Sequence, residues 1–164
     1  MKRFLILILV FVLGLVSVPV SAISENQKSA IVDNCDSIKI SLKKVQKDDA
    51  RLRVILGGKY EMILTNFITP LNMRMVENGI SSAELVENQN DFSSNKTIFS
   101  NDYIKYQQDL EELIAIDCKN KPEEFYEKLE TVRQKRKIME QDTLRMRSLL
   151  TQHVTLVSES RSKI

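Results

Sequence analysis

The sequence predicts an all-α fold, an elongated antiparallel three-helix bundle of up-down-up topology with coiled-coil-like heptads. Three observations predict it. Apolar residues recur in alternating steps of four and three along most of the chain. Only four glycines and three prolines punctuate 164 residues, too few for a turn-rich β-sandwich or barrel. The two cysteines, Cys35 and Cys118, stand almost symmetrically about the one strong helix stop, Asn78-Gly79. A chain of this length suits one domain with a moderate core.

The first segment reads as an export signal. Lys2-Arg3, an uncharged run from Phe4 to Val18 and then Pro19-Val20-Ser21-Ala22 match the n-, h- and c-regions of a secretory signal peptide, with cleavage after Ala22. The alternative is an uncleaved anchor, residues 4–22 holding the chain in a membrane, since Phe4 to Ile23 is just long enough to span a bilayer. In either case residues 23–164 form the exported domain, secreted, periplasmic or at the cell surface. Without residues 1–22 the chain carries 22 basic and 22 acidic side chains, because Lys2 and Arg3 are the only charges removed. That neutrality gives no reason to invoke nucleic acid.

Residues 24–77 are the first expected helix. Ser24 and Gln27 are spaced as a capping box. Ile31, Cys35, Ile38, Leu42, Val45, Asp49, Leu52 and Leu56 lie along one face, and Tyr60, Ile63, Leu64, Phe67, Leu71 and Met75 continue it. Gly57-Gly58 and Thr69-Pro70 predict kinks in this helix. Ser81 to Glu84 is a second capping box, opening a helix over residues 82–118. There Leu85, Phe92, Phe99, Tyr106 and Leu113 repeat every seven, joined by Tyr103, Leu110 and Asp117. The polar stretch Ser93 to Thr97 is a point where it could break. Pro122 starts the third helix, with Phe125, Leu129, Val132, Arg136, Met139, Thr143, Met146, Leu150, His153 and Val157 on one face, and residues 158–164 are expected to fray.

The cysteines choose between arrangements. In an antiparallel hairpin facing residue numbers have a constant sum, and for Cys35 with Cys118 its midpoint falls beside the Asn78-Gly79 turn. A Cys35–Cys118 disulfide in an oxidising compartment fits the three-helix register. A shorter four-helix bundle, broken at Gly57-Gly58 and Ser93–Thr97, leaves the two cysteines more than about 10 Å apart at helical rise. Carried into the third helix, the register sets Arg136 level with Asp49 and His153 level with Asn66. Asp49 and Arg136 each interrupt an apolar row, so they are expected as a buried polar pair that fixes register, with Tyr103 and Tyr106 near enough to donate to Asp49. Gly57-Gly58 falls opposite Lys96-Asn95, a level poor in apolar contacts and expected to be a flexible waist.

Little in the sequence points to catalysis. No Glu stands three residues before His153, which excludes the paired Glu-x-x-His motif of di-iron bundles, and no CxxC spacing suggests zinc. No catalytic, cofactor or metal-binding residues are assigned, and no cofactor is expected. Arg133, Lys135 and Lys137 with Arg145 and Arg147 form a candidate basic surface, interrupted by Glu140 and Asp142. Asn95-Lys96-Thr97 is an N-glycosylation acceptor if the secretory pathway is eukaryotic. Ile23-Ser24-Glu25-Asn26-Gln27 resembles the Leu-Thr-x-x-Gln motif of small periplasmic stress chaperones of the Spy and CpxP type. A capping box accounts for the same five residues. The resulting expectation is an exported, non-enzymatic bundle acting through contacts with a protein or an envelope surface as spacer, adaptor or interaction module, with self-association a further possibility. The alternative implied by the resemblance is a holdase for unfolded clients. An enzyme or small-ligand binder ranks third.

Overall fold

The computed structural model describes residues 23–80 and 83–161. Residues 1–22, expected as a signal peptide or anchor, and the expected Ser81 cap lie outside these residues, as do residues 162–164. The described chain is all-helical, without strands. It consists of α1 (Glu25–Asp33), α2 (Cys35–Ile63), a π-helical segment (Leu64–Ile68), α3 (Thr69–Glu77), α4 (Ala83–Ala115) and α5 (Pro122–Arg161).

The helix ends follow local chemistry. The Ser24–Gln27 capping box closes in both directions: the Ser24 hydroxyl accepts from the Gln27 amide at 3.3 Å, and the Ser24 amide donates to the Gln27 side chain at 2.9 Å. Gly79, at φ 71°, ends α3 in a Schellman motif, in which the Ile80 amide donates to the Met75 carbonyl and the Gly79 amide to the Val76 carbonyl. Pro122 starts α5. The helix before it stops at Ala115, sooner than the heptads suggest. Asp117 leaves the apolar row and, exposed, accepts from the backbone amides of Lys119 and Asn120 to shape the turn. At the far end α5 stays helical through Ser158–Arg161, where fraying was expected.

The expected first helix is in fact divided, and not at its glycines. α2 runs through Gly57-Gly58 without interruption, and α4 runs through Ser93–Thr97, so the breaks required by a four-helix alternative do not form. One interruption is Asn34, where the backbone leaves the helical region and the Asn34 side chain donates to the Ala30 carbonyl at 2.9 Å. The other is the π turn. Pro70 has no N–H for the Asn66 carbonyl, and its ring crowds that carbonyl. The chain widens by one residue just before it, and the Thr69 amide donates to the Leu64 carbonyl, five residues back. The wide turn also shifts the apolar register. The buried set becomes Tyr60, Leu64, Ile68, Asn72 and Met75, while Phe67 and Leu71 of the expected row face solvent, Phe67 at 61% exposure.

α4 packs chiefly on α5 and next on α2, whereas α2 and α5 do not pack extensively on each other. One apolar cluster, at the disulfide end, joins Ile31 and Cys35 to Tyr106, Leu110, Leu113, Cys118, Phe125 and Val132. Here α1 meets the start of α5, with Lys28 paired to Glu123. A second cluster, around the π turn, joins Tyr60, Leu64 and Ile68 to Phe92, Phe99, Met146 and Leu149. In it the Tyr60 ring stands edge-on to Phe92 and to Phe99, at centroid distances of 6.3 and 5.6 Å.

Candidate functional site

Because α2 and α5 each lean on α4 without closing on one another, an open groove of about 630 Å³ lies between them. α2 supplies Asp49, Leu52, Arg53 and Leu56, and α4 supplies Phe99 as the floor. α5 supplies Arg133, Arg136 and Lys137, then Met139, Glu140, Thr143 and Leu144. Leu52 is 51% exposed and Leu144 is 57% exposed, so apolar surface stays in water along both lips. The cations of α5 cluster within about one turn, and the apolar lining continues beyond them.

The charged end of the groove is anchored on a buried carboxylate. Asp49 is buried and accepts a hydrogen bond from the Tyr106 hydroxyl at 2.6 Å, where Tyr106 has no exposure at all. Burial, followed by the Asp49 carboxylate beside it, pushes the Tyr106 phenol far above its ordinary range, so it stays a donor at any physiological pH. The Arg136 guanidinium reaches the other Asp49 oxygen at 3.1 Å across the groove. The expected pair forms, but only its acid is buried: the Asp49 side chain is 9% exposed and that of Arg136 is 57% exposed. Arg136 thus bonds the buried acid while more than half of its own side chain stays in water. On the α2 lip, Arg53 lies over the Tyr103 ring, 5.3 Å from its centroid, which fixes a second cation.

The remaining residues singled out from sequence are dispersed. Cys35 and Cys118 form a disulfide, both buried, with Cα atoms 5.7 Å apart. Of the basic run, Arg133 and Lys137 line the groove, whereas Lys135, Arg145 and Arg147 do not. Arg133 pairs with Glu130, and Arg145 approaches Asp91 only to 4.0 Å. His153 does not face Asn66, which is exposed within the π turn; it is buried, and its Nδ1–H donates to Asn88 Oδ1 at 3.2 Å. Asn88 in turn donates to the Leu149 carbonyl at 3.1 Å. Burial lowers the His153 pKa and keeps the imidazole neutral. Among the described residues, no cluster of His, Cys, Asp and Glu could hold a metal ion. Nor is any helix of the described residues long and apolar enough to cross a membrane.

The groove itself was missed by sequence reasoning. Leu52 and Leu56 were placed on a core-facing row, and Leu144 on none. The available signal was the mixed character of α5, where the apolar row is interrupted by Arg136 and Thr143 at the level of Asp49 to Leu56. Comparison with protein-family models, curated proteins and solved structures gives no match.

Proposed function

We propose that this protein is an exported, non-enzymatic helical module that works by binding another protein along the groove between α2 and α5. The observation that carries this is exposed apolar surface on α2 and α5, facing across one concavity over the buried Phe99 of α4, with three of its four cations at one end. Apolar patches left in water and rimmed by charge are the mark of an interaction surface. The proposal includes the overall arrangement, a three-helix up-down-up bundle. Cys35 with Cys118, Asp49 with Tyr106 and Tyr60 with Phe92 fit one antiparallel register, and Asn88 with His153 and Asp109 with Lys128 fit a second. A disulfide and the leader-like residues 1–22 support an oxidising compartment outside the cytoplasm.

The apolar concavity also favours the second reading, a holdase for unfolded clients, which would use the groove without a fixed partner. Photo-crosslinking in the producing cell separates the two. A benzoylphenylalanine at Leu144 should yield one or a few discrete adducts in the fixed-partner reading, and a broad smear that grows under unfolding stress in the holdase reading. At Ile40, 70% exposed but away from the groove, neither reading predicts adducts. Equal labelling from both positions would contradict the groove as the binding face.

A further inference from the structure

We infer that the occupant of the groove is an amphipathic helix of the partner, acidic where it meets Arg133, Arg136 and Lys137. The inference rests on the protein-contact reading above and adds the shape, charge and direction of the partner. The α5 side of the groove runs from Arg133 to Leu144, about 16 Å at helical rise, the length of three helical turns. Its apolar lining comes from Leu52 and Leu56 on one wall, Met139 and Leu144 on the other and Phe99 below. That is the trough a helix fills with anchors at i, i+3 or i+4, and i+7. Four cations line the groove against two acids; Arg136 is paired with Asp49 and Arg133 with Glu130, which leaves Arg53 and Lys137 against Glu140. Lys137 makes no ion pair among the described residues.

Charge decides among the possible occupants. A second copy docked groove to groove would bring its own cations to the same lips, and the N-terminal segment of this chain carries Lys2 and Arg3 without an acid. Both have the wrong sign. The clustering of cations at the Arg133 end also sets direction, because the C-terminal end of a helix carries the negative pole of its dipole. The bound helix therefore runs antiparallel to α5, with its C-terminal turn over Arg133 and Lys137.

Two labelled model peptides of fourteen residues test this against the disulfide-bonded mature chain. Both carry Leu at heptad a and d positions; one has Glu and the other Lys at the flanking positions, and binding is read by fluorescence anisotropy. The Glu peptide is expected to bind at least tenfold more tightly than the Lys peptide and to weaken as salt rises. Leu144→Glu is expected to cost at least tenfold, Ile40→Glu to change nothing, and Arg133→Glu with Lys137→Glu to reverse the preference, each variant showing wild-type circular dichroism. Equal affinities, or no binding of either peptide at millimolar concentration, overturns the inference. Oleate binding that Leu144→Glu abolishes, without binding of the Glu peptide, assigns the groove to a lipid and also overturns it. If neither peptide binds while discrete crosslinks from Leu144 persist, the acidic helix is wrong and the protein-contact reading stands.

Discussion

The disulfide end and the groove show two ways the same helices can be held. At the disulfide end α1, α2, α4 and α5 all contribute to one cluster, a covalent bond joins α2 to the turn after α4, and Phe125, Leu110, Leu113 and Cys118 have no exposure. About twenty residues along α2, α2 and α5 stand apart over α4. Leu52 and Leu56 look across at Met139 and Leu144, and the Asp49–Arg136 contact bridges the gap. Closure at one end therefore does not depend on closure at the other. A covalent tie with a fully buried cluster lets the middle of the molecule keep apolar surface in water, which a uniformly packed bundle of this length would bury.

The largest test of that contrast is removal of the tie. The loop closed by Cys35–Cys118 spans a sequence separation of 83 residues. Chain entropy puts its contribution at about 4–5 kcal/mol, an upper figure that native strain reduces. Cys35→Ser with Cys118→Ser should lower the urea midpoint strongly, and hydrogen exchange should quicken first in α1 and the start of α5. Equal loss of protection around Tyr60 and Phe92 would mean that the two ends are one cooperative unit.

Next in size is Tyr106→Phe, which leaves one Asp49 oxygen buried without its donor and should cost about 1–3 kcal/mol in urea denaturation. The Asp49–Arg136 contact itself should count for less, since Arg136 is more than half exposed. A double-mutant cycle with Asp49→Asn and Arg136→Met should return a coupling of about 0.5 kcal/mol. A coupling near 3 kcal/mol would instead mean that Arg136 is drawn in and the groove closed.

Gly57 and Gly58 sharpen the comparison from the other side. Each lies inside α2, and a methyl group added at either meets nothing within 4 Å. Gly57→Ala and Gly58→Ala should each stabilise by about 0.5–1 kcal/mol through helix propensity, read as a rise in melting temperature. Loss of stability from either substitution would show that the glycines serve a bend the helix needs. Exchange around residues 57–58 and 93–97 should still exceed that at residues 38–45, since this level also borders an open cleft.

The smallest effect is a pH slope from His153. Its pKa is lowered by burial in the folded chain, against about 6.5 when unfolded. Above pH 7 both states hold a neutral ring and stability is at its full value. As pH falls through 6.5 toward the lower folded value, only the unfolded chain takes up the proton, so stability declines. Denaturation midpoints at pH 7 and pH 5 should differ less in His153→Gln than in the wild type, and an unchanged difference would place the proton uptake elsewhere.

The pattern of what the sequence discloses follows from how local each determinant is. The Ser24 cap, the Gly79 stop, Pro122 and the cysteine symmetry act over a few residues or through one constant, and all are legible. The π turn is not, because widening before a proline and kinking at it satisfy the same sequence. That single residue moves burial from Phe67 and Leu71 to Ile68 and Asn72. The Asn34 break was likewise hidden inside an unbroken apolar row. The groove depends on how far apart two helices lie that meet only through a third. Nothing in the spacing of Leu52, Leu56 or Met139 encodes that distance, so a row that predicts burial ends at a lip.

Hydroxyl-radical footprinting of the full chain, read leucine by leucine, addresses the open groove most directly. Leucines share one intrinsic reactivity, so their oxidation rates rank exposure. The account predicts that Leu52 and Leu144 oxidise several-fold faster than Leu110 and Leu113, and that a bound partner protects the first pair alone. Oxidation of Leu52 and Leu144 as slow as that of Leu110 and Leu113 in the free protein would mean that the chain or a second copy already fills the groove, and would contradict the account.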